Sequence, residues 1–194
     1  MYGATGDNSR SGRRFGGRPP PTAGAYTGRV IDIRPWQPTD DVGALTRLLH
    51  RAYAALAAQG LRYVATHQDE ATTRGRIESG RSFVALEDGA LAGTITYYYP
   101  AGDECRWYAR RGVARFGQFG VEPRLQGRGI GTRLLQRVEE EARADGAREL
   151  ALDTSEHAGR LIATYLRRGF RIVGEADWPD VNYASVILSK KLQP

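Results

Sequence analysis

The sequence predicts an α/β domain built on a mixed sheet of about seven strands with helices on its faces. Three observations carry that expectation. Short alternating or apolar runs interleave with segments whose apolar residues recur at helical spacing, in the order β-α-α-β-β-β-α-β-α-β-β. Gly, Pro and Asp-Gly signals fall between these segments, where turns belong. Hydrophobic residues make up 41% and charged residues 26% of the 194 positions, enough apolar material for one sizeable core.

Taken in order, Val30-Ile31-Asp32-Ile33-Arg34 alternates as a strand should, and Pro35 is expected to end it. Thr39 or Asp40 is placed to cap a helix carrying Val42, Leu45, Leu48, Leu49 and Ala52 on one face, with Gly60 closing it. Residues 61–68 read as a loop, and 69–78 as a second helix. Residues 82–86 and 91–99 form a hairpin across Asp88-Gly89. Residues 100–112, with Pro100, Gly102 and Gly112, form a loop. Residues 114–121 make the next strand, and 132–144 a helix with Leu134, Leu135 and Val138 inward. After Asp145-Gly146 come a strand at 149–153 and a helix at 156–168, which turns Leu161, Ile162, Tyr165 and Leu166 to the core. Gly169 sits where a helix C-terminal glycine belongs. Strands at 170–174 and 185–189 flank a last loop containing Trp178, Pro179, Asn182 and Tyr183.

Residues 1–28 differ from the rest. They are rich in Gly, Pro, Ser and Arg and show no hydrophobic period, so a disordered tail is expected there, with the domain spanning 29–194. The formal charge of +6 divides evenly, because Arg10, Arg13, Arg14 and Arg18 against Asp7 leave +3 for the domain. The tail is read as solvated rather than as a nucleic-acid arm, and no basic stripe in the domain marks nucleic acid as a partner. The single cysteine, Cys105, excludes an internal disulfide and provides no metal-ligand spacing. No apolar run approaches the roughly 20 residues that span a bilayer. The N-terminus lacks the apolar centre of a signal peptide. A cytoplasmic location without membrane association is the expectation.

Gln126-Gly127-Arg128-Gly129-Ile130-Gly131-Thr132 carries the chemistry. It joins a strand to a helix whose first-turn N–H groups have no internal partners, the arrangement that cradles an anion. Glycines there allow positive φ and close approach of a ligand. The Lys-[Ser/Thr] of a P-loop is missing. Four strand-like segments precede the turn, which does not fit a dinucleotide fold, where the turn follows the first strand.

The stretch from Val121 to Gly131 resembles the acyl-CoA-binding signature of the GNAT superfamily of N-acyltransferases, Gln/Arg-x-x-Gly-x-Gly/Ala, matched by Gln126, Gly129 and Gly131. Tyr165-Leu166-Arg167-Arg168-Gly169-Phe170 is similar to that family's Tyr-x-x-x-Gly-Phe segment, and the hairpin Phe83 to Gly93 resembles its second and third strands. The resemblance covers about residues 29–192. It implies a mostly antiparallel sheet with helices on both faces, and acetyl-CoA as co-substrate, without a metal. It places pyrophosphate on the N–H groups of Gln126, Gly127, Arg128, Gly129, Ile130, Gly131 and Thr132; by charge alone, the Arg128 and Arg133 side chains are candidates for further contacts, with a solvated Arg128 as the alternative. It places the pantetheine arm on main-chain groups of Phe119 and Val121. Gly120 between them is expected to mark a β-bulge rather than a packing contact, splaying this strand from its neighbour.

Acyl transfer from a thioester to an amine needs a neutral amine, a stabilised oxyanion and a proton for the departing thiolate. The resemblance assigns the proton to Tyr165, and a backbone N–H near Val121 to the oxyanion. Relatives often carry a carboxylate base on the strand before the turn; residues 114–121 hold none. Glu122, Asp153, His67, Asp103, Glu104 and ordered water remain as candidates. Where the family often has an Asn touching pantetheine, this chain has Ala158, beside an exposed His157.

Acceptor specificity is expected from Tyr63, His67, Trp178, Asn182 and Tyr183, faced by Tyr97, Tyr98, Tyr99, Trp107 and Tyr108; the same aromatics suit a homodimer interface. The function implied is acetyl transfer to a primary amine of a small molecule, protein or peptide. A non-catalytic acyl-CoA-binding regulator is the alternative.

Overall fold

The computed structural model describes residues 30–193; the expected tail, and Arg29 where the domain was expected to begin, lie outside the described residues. Seven strands form one sheet: β1 (Ile31–Pro35), β2 (Arg81–Glu87), β3 (Ala90–Tyr98), β4 (Val113–Val121), β5 (Glu149–Ser155), β6 (Arg171–Asp177) and β7 (Ala184–Lys191). Four helices accompany them: α1 (Val42–Ala57), α2 (Glu70–Glu78), α3 (Ile130–Ala144) and α4 (Gly159–Arg167). The strand order is β1-β2-β3-β4-β5-β7-β6, and the β4–β5 pair alone runs parallel. The mixed, mostly antiparallel α/β architecture is the expected one.

Element ends follow local chemistry. Pro35 is the last residue of β1 rather than its terminator, opposite Phe83 on a strand that pairs on one side only, where a missing N–H is tolerated. The α1 cap is Asp41, whose carboxylate accepts from the Ala44 N–H at 3.0 Å. The expected Asp40 instead pairs with Arg34 at 2.6 Å, and that bond lowers its pKa. Asp88 and Gly89 both take positive φ, 51° and 82°, as a tight hairpin turn requires. Helix α4 begins three residues later than its apolar spacing suggests, after Ala158, and Leu166 lies half-exposed rather than in the core.

The two faces of the sheet are read from β2. Phe83 and Ala85 join a cluster with Leu134, Leu135 and Val138 of α3 and Tyr165 of α4. Val84 points oppositely and joins Val42, Leu45 and Leu49 of α1 and Ile77 of α2. Over β4, β5 and β7, that second face is covered by the 99–112 loop through Ala101 and Tyr108 on Val113, Ala151 and Ile187.

Strand β4 changes phase along its length. Thr94 lies opposite Gly120 and Thr96 opposite Gly117, so Gln118 and Phe119 together face Ile95. This is a β-bulge, with Gln118 at φ 44°. Before it, Ala114 and Phe116 face the α3 side; after it, Phe119 and Val121 do. The bulge was expected at Gly120. That glycine is instead a contact residue: a Cβ there would lie 3.2 Å from both Leu49 and Ala52 of α1. The expected splay is present all the same. Only Val113–Glu149, Ala114–Leu150 and Arg115–Ala151 pair across β4 and β5. Beyond them the strands part, β5 staying with β7 as far as Ser155–Ser185.

Gly120→Val should therefore lower stability by roughly 1–3 kcal/mol through overpacking against α1, read as a drop in Tm; an unchanged Tm would show that α1 does not rest on this position.

Candidate active site

Two cavities flank the parting of β4 and β5. One, about 510 Å³, runs from the strand to the glycine turn and is lined by Phe119, Gly120, Val121, Gln126, Gly127, Gly129, Ile130, Gly131 and Thr132, with Ala52, Tyr53 and Leu56 of α1 opposite. The other, about 600 Å³, lies on the far side and includes Tyr63, Arg76, Tyr108, Asp153, Trp178 and Tyr183. Tyr53, Phe119, Leu161 and Tyr165 line both. Of the residues predicted for the cofactor, all but Arg128 thus line one cavity, and Tyr165 stands where it meets the next.

The turn is an anion cradle by its donors. Gly129 takes φ 83° before α3, and no side chain caps the helix. Arg133 makes the first helical bond, to the Gly129 carbonyl at 3.0 Å; the Gln126 N–H, expected in the cradle, donates instead to the Pro123 carbonyl at 3.3 Å, and the N–H groups of residues 127–132 donate to no backbone carbonyl among the described residues. Consecutive free donors at a helix N-terminus suit phosphate oxygens. The guanidinium beside them is one the sequence reading missed. Arg168, after α4, lines the cavity and donates to Thr132 Oγ1 at 2.7 Å. Its place just before the Gly169-Phe170 turn was the available signal. The Arg128 side chain, expected to help, is held 3.3 Å from Glu87, and neither it nor Arg133 lines the cavity.

Carbonyls of β4 face α1 and the turn. Phe119 O accepts from the Tyr53 hydroxyl at 3.1 Å, and Val121 O from Gln126 Nε2 at 3.2 Å. These are main-chain groups of the two residues expected to meet a pantetheine arm.

Tyr165 packs among Phe116 and Phe170 at the cavity junction. Its hydroxyl has no hydrogen-bond partner among the described residues. Burial raises its pKa far above the ordinary value, so the phenol keeps its proton at neutral pH. A proton donor with no protein acceptor is thus exposed to both cavities.

The structure separates the candidate bases. Glu122 is paired with Arg51 at 2.8 Å, and Glu104 with Arg115 at 3.1 Å. His67 lines a different depression, together with Asn182, and Asp103 lines neither cavity. Asp153 remains. It lies in the larger cavity and accepts from the Tyr108 hydroxyl at 2.9 Å and Trp178 Nε1 at 3.1 Å. Burial, the larger cause, and the Asp153 charge together raise the pKa of Tyr108, Tyr63 and Tyr183. Gln118, on the strand before the turn, is buried and bonded to Gln68 Nε2 at 2.8 Å.

Of the expected acceptor aromatics, Tyr63, Tyr108, Trp178 and Tyr183 line the larger cavity. Tyr97 does not; its hydroxyl donates to Asp145 at 2.9 Å, away from the site. Tyr98 lies beneath Arg115 instead, 4.1 Å from its guanidinium. Tyr99 and Trp107 line neither cavity. Ala158 is buried and His157 exposed, and neither reaches the cofactor cavity.

Comparison with known proteins agrees with this geometry. Residues 44–170 match the Acetyltransferase (GNAT) family. The chain is 32% identical over 155 residues to an S-(2-succino)cysteine N-acetyltransferase of Bacillus subtilis (strain 168), covering 79% of this chain and 92% of that one. It is 26% identical over 144 residues to an S-alkylcysteine N-acetyltransferase of the same organism, covering 71% and 78%. Among solved structures, the ribosomal-protein-S18-alanine N-acetyltransferase of Escherichia coli superposes with a TM-score of 0.64 at 19% identity, covering 85% and 96%.

Burial raises the Tyr53 phenol from its ordinary 10.0 to about 12. The folded chain therefore keeps this proton where the unfolded chain loses it, so the associated stability is complete below pH 10 and is lost as pH rises towards 12. Thermal melts across that window should show an alkaline fall in Tm that Tyr53→Phe reduces; an identical fall in the variant would remove Tyr53 as its source.

Proposed function

The chain belongs to the GNAT family of acetyltransferases and catalyses N-acetyl transfer; within that activity, we propose that it moves the acetyl group of acetyl-CoA to the primary amine of a small molecule. The observation that carries this reading is the junction of two cavities at Tyr165, one edged by free helix N-terminal donors and the other by Asp153. Two relatives act on S-substituted cysteines, as their names state. A cavity of about 600 Å³ is of a size that suits such an acceptor.

Acetyl-CoA supplies an activated thioester. The N–H groups of residues 127–132 and the Arg168 guanidinium hold its pyrophosphate, and the Phe119 and Val121 main chain aligns its pantetheine arm. To do so, that strand exchanges its bonds from Tyr53 and Gln126 for bonds to the ligand. Such main-chain pairing fixes an extended ligand as an added strand would be fixed. Asp153, held by two neutral donors, takes the proton of the acceptor ammonium and leaves a nucleophilic amine. As the C–N bond forms and the C–S bond breaks, a main-chain N–H near Val121 faces the oxyanion. Tyr165 donates its proton to the departing sulfur and is reprotonated by the proton that the acylated nitrogen loses. Burial suits the phenol to this role, because it keeps the acid form present at neutral pH.

Tyr165→Phe should lower kcat by about 100-fold or more, the usual contribution of a positioned acid, while the acetyl-CoA Kd changes little. Near-normal turnover would remove the acid assignment. Gly129→Glu should abolish acetyl-CoA binding by titration calorimetry, since it places a carboxylate at the cradle and a side chain at φ 83°; normal affinity would remove the cradle assignment.

A further inference from the structure

Charged side chains around the larger cavity are unequally committed. Arg115 is paired with Glu104, donates to the Ala101 carbonyl at 2.5 Å and covers the Tyr98 ring. Asp177 and Asp180 sit exposed on the rim. Arg76 and Asp153 differ from all of these. Both line the cavity, both are partly buried, and neither forms an ion pair among the described residues. Asp153 has only neutral donors, and Arg76 has a single neutral acceptor, Gln68 Oε1 at 3.1 Å.

The position of Arg76 is built rather than incidental. It lies in the last turn of α2, with the Tyr98 hydroxyl bonded to its carbonyl at 3.3 Å. Gln68 is buried, and its amide nitrogen is bonded to Thr73 Oγ1 at 2.7 Å and to Gln118 Oε1 at 2.8 Å. That leaves the Gln68 oxygen turned to the guanidinium. The bulge residue Gln118 thus orients Gln68, and Gln68 orients Arg76. The other guanidinium nitrogen, Nη2, lies 3.4 Å from where a Cβ at Gly117 would be, so the absence of a side chain on β4 admits it to the cavity. Most of its donors remain uncommitted, in the forked geometry that matches a carboxylate.

Building on the acetyl-transfer reading, we propose that the acceptor carries a carboxylate near its amine, as an α-amino acid does, and that Arg76 is the residue that selects it. Arg76 receives the carboxylate from the α2 side while Asp153 holds the amine from the β5 side. The stacked Tyr108 and Trp178 rings, 6.2 Å apart between centroids, flank an apolar acceptor side chain. A polyamine would bring a second cation towards Arg76, and a protein N-terminus would bring an amide where the guanidinium offers charge. Both are disfavoured by the same group that favours the amino acid.

The test uses the full chain, acetyl-CoA and matched acceptors, the free L-amino acids (S-benzyl-L-cysteine among them) and their carboxamides, with CoA thiol release as readout. At least one free acid should be used with kcat/KM about tenfold or more above its own carboxamide, the range of a charge-assisted hydrogen bond. Arg76→Gln should bring the acid down to the level of its carboxamide, mainly through KM, and Arg76→Lys should restore part of the preference. An unchanged acetyl-CoA Kd in both variants marks an intact fold. Equal use of acid and carboxamide, or a preference that survives Arg76→Gln, overturns the assignment. Turnover confined to amines without a carboxylate, such as polyamines or peptide N-termini, overturns it too while leaving acetyl transfer intact. Thiol release from no amine at all would overturn both.

Discussion

The bulge in β4 is the constraint on which the site depends. One extra residue between Gly117 and Gly120 shifts the side-chain phase of the strand. Gly120 is thereby turned under α1, where a Cβ would lie 3.2 Å from Leu49 and Ala52. Phe119 and Val121 are turned to the α3 face, and the Phe119 and Val121 carbonyls face Tyr53 and Gln126 at the cofactor cavity. Gln118 is turned away, into the buried amide network that ends on Arg76. Because β4 and β5 stop pairing after Arg115 and Ala151, the phase-shifted segment borders a cleft rather than another strand. A single backbone irregularity therefore shapes the smaller cavity, the packing of α1 against it and the placement of Arg76 in the larger one.

The electrostatics of the two cavities are arranged in complementary ways. The cofactor cavity gathers positive potential from the first turn of α3 and from Arg168, without a carboxylate among its lining residues. The acceptor cavity has Asp153 as its inner negative charge, and its influence extends to Tyr53, Tyr63, Tyr165 and Tyr183 as well as the bonded Tyr108. Those tyrosines all lie on the protonated side of their titration at neutral pH. The residues around the two cavities thus include neutral phenols, of which Tyr53 and Tyr108 donate to the Phe119 carbonyl and to Asp153.

Much of this was legible in the sequence, and the exceptions share a cause. The order of elements, the Asp88-Gly89 hairpin and the glycine turn before α3 are local signals, set by residues adjacent in the chain. Tyr165 could be placed because it shares one short segment with Gly169 and Phe170. The bulge could not, because Gln118 has no local preference for φ 44° and takes it through bonds to Gln68 and Thr73, distant in sequence. Arg128 and Arg168 were exchanged for a similar reason. Which arginine stands beside the free N–H groups of the glycine turn depends on Glu87 and Thr132, contacts made only when the sheet assembles. The cap of α1 moved by one residue once Asp40 had Arg34 as a partner. Among the loop aromatics, sequence listed those present, while only the docking of the 99–112 and 178–183 segments decides which face the cavity.

The central claim is that acyl-CoA binds along the parted edge of β4 and onto the first turn of α3. Amide hydrogen exchange with and without acetyl-CoA addresses it at the groups concerned. Binding there should slow exchange at residues 119–121 and 127–132, with little change across β1 and β2. Unaltered exchange in both segments at saturating acetyl-CoA, or protection confined to another surface, would contradict it.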